Sequence, residues 1–220
     1  HGARFFDAER IPLVGGAGGT DGASPRRFRG SELYDWLRAA DPEARVLSVS
    51  RKDRGAILPV GRATGSVFWF AHGRFTTSTY YADTLPDWVR AYDARDWATP
   101  LAGQAWTELR PDTTYREPDV EPWEHDGVDV AFPHRLPAAP ADVRKQIENF
   151  PWMDSLTLDF ALDGMTHERL GERSTPDLLV ISLSTTDAIG HAYGPDSREM
   201  HDQMLRLDHW LGWFLDSLSV

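Results

Sequence analysis

The 220-residue chain carries 34 Asp and Glu against 23 Lys and Arg, a formal net charge of -11. With 41% apolar and 11% aromatic residues it can bury a core, which excludes wholesale disorder. The acidic balance excludes a general nucleic-acid binder, no run of about 18 apolar residues is present to span a membrane, and the lack of Cys removes disulfides, thiol catalysis and cysteine-rich zinc sites.

Only Lys52 and Lys145 are lysine, and Asn149 is the single Asn, a pattern of GC-rich codon usage. A lysine kept inside a motif is therefore notable, because Lys is a compact charge and Arg a planar fork. The chain opens at His1-Gly2 without Met, basic n-region or apolar h-region, so no signal peptide is visible. The expectation is a removed leader or a start part-way through a longer protein.

Residues 1–30 are Gly-rich, and Gly15 to Gly19 read as a surface loop, since no lysine follows to close a phosphate-binding loop. Ser31 is the expected cap of a helix through Leu33, Trp36 and Leu37, ended by Asp41-Pro42. Arg45 to Ser50 alternates as a strand, which puts Ser50-Arg51-Lys52-Asp53-Arg54 at its carboxyl end, where open α/β sheets bind ligands. Val67 to Phe70 and Arg74 to Tyr81 read as strands around a His72-Gly73 turn. Thr84 is the expected cap of a helix through Trp88, Val89 and Tyr92. Residues 96–138 form an irregular excursion whose Trp97, Trp106 and Trp123 need a surface to pack on. Two helices are expected over 140–149 and 155–170, the second with a stripe of Leu156, Phe160 and Met165 and a Gly171 C-cap. Asp177 to Leu183 is a near-continuous apolar strand suited to a buried parallel sheet. A final helix starts near Asp196 or Ser197, with Glu199 completing a capping box with Asp196. Its stripe is Met200, Met204, Leu207, Leu211, Phe214, Leu215 and Leu218.

Asp187 and His191 follow the apolar strand. The D-x-x-x-H spacing in a helical turn can aim a hard oxygen and an imidazole nitrogen at one zinc. An N-capping Asp with a surface His is the other reading. Lys52 and Arg54 flank Asp53, and alternation points both the same way, where two cations can hold an oxyanion. A solvated turn neutralised by Asp53 is the alternative. His201 and His209, with Asp202 and Asp208 beside them, read as the solvated side of the last helix. His72 and His125 read as loop residues, His167 as an exposed helix residue, and His134 as a packing histidine or an ambiguous one. The nine Trp read as core rather than as a sugar surface.

S-R-K-D-R-G-A-I-L-P-V-G-R (Ser50 to Arg62) resembles the alkaline phosphatase superfamily, in its group of type I phosphodiesterases and nucleotide pyrophosphatases, and looks like the PafA-like monoesterase branch. F-T-T-S-T-Y-Y with P-D-W-V (Phe75 to Val89), F-P-H (Phe132 to His134), S-T-T-D-A-I-G-H-A-Y-G-P-D-S (Ser184 to Ser197) and R-L-D (Arg206 to Asp208) match in the same order. The resemblance implies an α/β fold with a mixed sheet flanked by helices and an inserted irregular, partly β subregion, the chain being an incomplete domain. Residues 1–62 and 140–220 would belong to the hydrolase core and 63–139 to an insertion near the active site.

It further implies a two-zinc hydrolase of small-molecule phosphate esters, in which a Thr or Ser nucleophile attacks phosphorus. Asp187 and His191 match two ligands of one zinc; Lys52 and Arg54 match the pair on the nonbridging phosphate oxygens, which favours a dianionic monoester. A diesterase or pyrophosphatase, or a non-catalytic ligand-binding relative, is the alternative. The nucleophile is expected upstream and the remaining metal ligands beyond Val220, so the chain alone is expected to be inactive. The stretch Gly2 to Asp7 is about three residues shorter than the family's and lacks its phosphate-contacting Asn. The family's habit of export implies a periplasmic or secreted protein.

Overall fold

The structure, a computed structural model, describes residues 11–15 and 22–218. The short Gly2 to Asp7 stretch and most of the Gly15 to Gly19 run lie outside the described residues. In chain order the elements are α1 (Leu33–Ala40), β1 (Val46–Ser50), α2 (Asp53–Ile57), β2 (Ser66–Ala71), β3 (Arg74–Thr76), α3 (Asp87–Asp93), β4 (Ala105–Trp106), β5 (His134–Arg135), α4 (Pro140–Gln146), α5 (Trp152–Glu168), β6 (Leu178–Ser182), α6 (Thr185–Tyr193) and α7 (Arg198–Ser217). They form two compact units, residues 1–95 with 159–182 and residues 96–158 with 183–220; the division falls inside α5.

The first unit is built on a four-stranded sheet of order β3-β2-β1-β6. β1 runs parallel to both β2 and β6, and β3 turns back antiparallel on β2, so the sheet is mixed as the sequence implied. All five β1 residues are buried, which is why V-L-S-V-S reads apolar apart from two serines. Successive β2 side chains serve opposite faces. Val67 and Trp69 join Val46, Ala56, Ile57 and Val60 on one side. Phe68 meets Trp88 and Phe160 edge-on, and Phe75 stacks on Phe160 at 3.9 Å. The β2–β3 turn holds His72 at φ 53° and Gly73 at φ 79°, the two left-handed residues that a tight two-residue hairpin requires.

Three local expectations are corrected here. The cap of α1 is Glu32, whose N–H donates to Asp35 at 2.9 Å, while Ser31 Oγ accepts from Trp36 Nε1. Leu33 and Trp36 are exposed, and the helix instead packs Tyr34 and Leu37. In α5 the buried residues include Met153, Asp154, Thr157, Leu158, Phe160 and Ala161, so of the expected stripe only Phe160 is fully covered. Met153 and Leu158 share the covered side with Ala161 and with the hydrogen-bonded Asp154 and Thr157, polar positions that a purely apolar pattern does not register.

In the second unit the irregular excursion is organised by carboxylates on α7. Asp202 is fully buried: Oδ2 accepts from Trp106 Nε1 and Arg206 Nε, and Oδ1 from Leu109 N and Tyr115 OH, all at 2.6 Å. Arg198 reaches Glu108, Asp112 and the Glu117 carbonyl. Trp106 is buried with Ile189 and Tyr193; Trp123 is exposed. The solvated face expected around Asp202 is therefore partly an interior one. Asp208 and His209 do face solvent, but Glu199, Asp202 and Gln203 are buried, while Met204, Leu211, Leu215 and Leu218 of the expected apolar stripe are exposed. The donors of the excursion require acceptors, and α7 presents its polar side to them.

Asp202→Ala is expected to destabilise the protein by about 3–5 kcal/mol, because four donors, one of them the Arg206 guanidinium, lose their shared acceptor. Asp208→Ala, at an exposed position, is expected to cost under about 0.5 kcal/mol. Urea unfolding followed by tryptophan fluorescence compares them, and equal midpoints would show that the buried carboxylate carries no stability.

Candidate active-site motifs

Lys52 and Arg54 sit where β1 ends. Strand alternation does not orient them, because the strand stops at Ser50; Lys52 is the N-cap of α2 and Arg54 lies in its first turn. Two buried serines fix that helix against the sheet. Ser48 Oγ donates to the Ala56 carbonyl at 2.7 Å, and Ser50 Oγ donates to the Ser182 carbonyl and accepts from Lys52 N at 3.1 Å. A Cβ on Gly55 would stand 2.4 Å from Ser50 Oγ and 2.8 Å from Ser182 Oγ, so only glycine lets α2 lie this close. Gly55 and the two serines are thus positioning residues that the sequence reading did not single out; the signal was the glycine three residues after Lys52. The Asp53 carboxylate accepts from Arg54 N at 2.6 Å, so part of its capacity is committed to backbone. Arg54 is exposed and Lys52 half-buried.

In the second unit, α6 carries Asp187 and His191. Ser184, not Asp187, is the N-cap; Asp187 occupies the first turn. The i, i+4 spacing sets both side chains on one face, with Asp187 Oδ1 and His191 Nε2 3.5 Å apart and the side chains 50% and 82% exposed. Two tetrahedral ligands about 2.0–2.2 Å from a zinc ion lie roughly 3.3–3.6 Å from each other. The pair therefore fits two positions of one zinc. Among the described residues no group of three or more His, Asp or Glu is arranged to hold a metal.

The topology relates the two motif segments at their origin. β1 and β6 are parallel neighbours with Ser50 paired to Ser182, so both segments leave the same carboxyl edge of the sheet.

His134 is the residue whose role spacing left open. It is fully buried in the second unit, its Nε2 2.9 Å from Glu199 and its Nδ1 3.0 Å from Asp129. Burial alone would lower its pKa, but the hydrogen bonds it donates to the Glu199 and Asp129 carboxylates outweigh it and raise the value above the ordinary one. Glu199 is thereby taken from the capping box expected with Asp196. Ser197 caps α7, its Oγ accepting from Met200 N at 3.0 Å.

The mixed four-stranded sheet with its flanking helices is that of an α/β protein, and it matches part of an alkaline phosphatase fold. Residues 20–219 match the family model for type I phosphodiesterase / nucleotide pyrophosphatase, and the chain belongs to that family. It is 35% identical over 217 residues to the alkaline phosphatase PhoV of Synechococcus elongatus, covering 95% of this chain and 40% of that protein. It is 33% identical over 205 residues to the alkaline phosphatase PafA of Elizabethkingia meningoseptica, covering 89% and 38%. The crystal structure of wild-type PafA superposes with a TM-score of 0.85 at 33% identity, over 96% of this chain and 42% of that one. The chain thus spans about two fifths of the length of these relatives.

Proposed function

We propose that the protein containing this chain is a zinc-dependent hydrolase of small-molecule phosphate monoesters. The observation that carries the reading is the 3.5 Å separation of Asp187 Oδ1 and His191 Nε2 on an exposed helix face, which suits shared ligation of one metal ion. In this reading those two residues would hold one zinc of a pair, which would supply Lewis acidity toward the attacking and leaving oxygens. Lys52 and Arg54 would bind the nonbridging oxygens: Lys52 as a point charge and Arg54 as a fork able to span two of them. A serine or threonine nucleophile outside residues 1–220 would attack phosphorus. Residues 1–62 and 140–220 would serve as hydrolase core and 63–139 as the insertion beside it, although β2, β3 and α3 of that stretch belong to the first compact unit. No described helix is long and apolar enough to cross a membrane, and the reading places the mature protein in the periplasm or outside the cell.

The family description itself favours a second reading, a phosphodiesterase or nucleotide pyrophosphatase. The two separate on substrate charge. The full-length protein is expected to show a higher kcat/KM on p-nitrophenyl phosphate than on bis-p-nitrophenyl phosphate. A higher value on the diester would establish the second reading, and turnover of neither would leave a non-catalytic binding protein.

A further inference from the structure

The F-P-H motif has no part in the proposed chemistry, yet its His134 is fully buried in the second unit. The ring joins three segments. Nε2 reaches Glu199 in the first turn of α7, Nδ1 reaches Asp129 in the preceding loop, and Tyr193 Oη at the end of α6 lies 3.3 Å from the same Nδ1. With a carboxylate at each ring nitrogen, both N–H groups are donors and the ring is an imidazolium. Replacing a buried ion pair by apolar residues of similar volume is often neutral or stabilising, so stability alone does not explain this one. A buried polar node satisfied in one arrangement fixes a geometry.

The geometry in question is that of α6. Asp187 and His191 share its solvent face. Ile189 and Tyr193 follow each of them by two residues, about 200° round the axis, and are buried with Trp106. A helix of nine residues is too short to hold itself, so the partners of its inner face decide where the outer side chains point. Polar contacts grip both ends. At the start, Asp154 Oδ1 accepts from Thr185 N at 3.3 Å, and Gln203 Nε2 donates to Asp154 Oδ2 at 2.8 Å and to Thr186 Oγ1 at 3.3 Å. At the end, Tyr193 lies against His134, and the His125 ring stacks on Tyr193 at 5.6 Å and 12°. Glu199 and Gln203 are i, i+4 on α7, so one buried side of that helix serves both ends. His125, Asp126 and Gly127 run at φ 44°, 56° and 77°, strain that persists only where the surroundings over-determine it.

We infer that His134 is a positioning residue for the zinc site: held by Glu199 and Asp129, it fixes Tyr193 and with it the last turn of α6, which presents His191. The inference rests on the hydrolase reading above. Asp187 stands nearer the end gripped by Asp154 and Gln203, so loss of His134 displaces His191 more and opens the pair. A misplacement of about 1 Å can cost on the order of 10²-fold in rate.

The test uses full-length protein. Zinc affinity is read by chelator competition, turnover with p-nitrophenyl phosphate at saturating zinc, and hydrogen exchange along α6 without zinc. His134→Leu is expected to bind zinc about tenfold more weakly, the low end of the range for residues that support metal ligands. Its kcat falls about tenfold or more while KM stays within about twofold, because the phosphate contacts are untouched. Amides 190–193 exchange faster. His134→Gln, which keeps one donor, falls between wild type and His134→Leu. Tyr193→Phe removes only the hydroxyl and keeps the packed ring, so it reports if His134→Leu does not fold; about threefold is expected in affinity and kcat. Val143→Ala, a cavity on α4 of the same unit, controls for general loss of stability and leaves all three readouts unchanged. Wild-type affinity, kcat and exchange in the folded His134 and Tyr193 variants, or equal losses in Val143→Ala, overturn the assignment. If the wild type holds no zinc and turns over neither ester, the hydrolase reading fails, and faster exchange confined to the His134 and Tyr193 variants still supports His134 as the residue that fixes this turn. If the wild type hydrolyses p-nitrophenyl phosphate and the variants match it in all three readouts, the positioning role fails alone.

Discussion

Full-length protein carrying Asp187→Ala or His191→Ala is expected to lose at least about a hundredfold in kcat/KM on a phosphate monoester and to bind zinc correspondingly less tightly. Even second-sphere partners of metal ligands are worth about 10–100-fold in affinity or activity, so loss of a direct ligand sets that as a floor. The fold should not contribute to the loss. Both side chains are largely exposed, and Ala is the best helix former, so α6 keeps its geometry. Excess zinc should restore part of the activity, because a weakened site refills by mass action. Zinc content is read by elemental analysis and activity with p-nitrophenyl phosphate across a zinc titration. Wild-type zinc content and activity in both variants would exclude Asp187 and His191 as ligands.

What was legible in sequence here is local: on a helix the i, i+4 spacing of Asp187 and His191 sets both on one face, and the run L-L-V-I-S before them announces a strand with a parallel neighbour, while their role as ligands rested on the resemblance. β1 was legible for the same reason. What resisted reading was set by distant partners. Asp202 looks like a solvent-facing helix residue until Trp106, 96 positions earlier, donates its indole N–H to it. Glu199 fits a capping box by spacing, yet His134, 65 positions away, claims it. Polar burial is decided by donors that local periodicity does not contain. Gly55 was visible as a glycine after Lys52 but its reason was not, because that lies in two serines on adjacent strands, one of them Ser182 at the far end of the unit's sequence. For the same reason α7 was read with its faces reversed over its first turns: its apolar spacing was real, but the excursion's unsatisfied N–H and O–H groups select the polar side.

The Lys52→Ala/Arg54→Ala double variant of the full-length protein is expected to lose about a thousandfold or more in kcat/KM on p-nitrophenyl phosphate, and less than about tenfold on bis-p-nitrophenyl phosphate. Removing one preorganised donor to developing charge costs about 10²–10³-fold, and two adjacent cations on the same phosphoryl group need not be additive. The asymmetry between substrates follows from charge. A monoester dianion offers three nonbridging oxygens, whereas a diester has replaced one of them with a second ester group and carries a single charge. The cationic pair has a counterpart in the first case that is missing in the second. Position matters along with charge: Lys52 caps α2, and α2 is held by Ser48 and Ser50 against the sheet, so the pair is anchored at its backbone although Arg54 is exposed. Lys52→Arg then makes a separate test of geometry, since it keeps the charge but exchanges a compact ammonium for a wider planar group. It should fall between wild type and Lys52→Ala on the monoester. Equal losses on both esters in the double variant would show that the pair does not discriminate substrate charge, and unchanged monoester activity would remove Lys52 and Arg54 from the phosphate site.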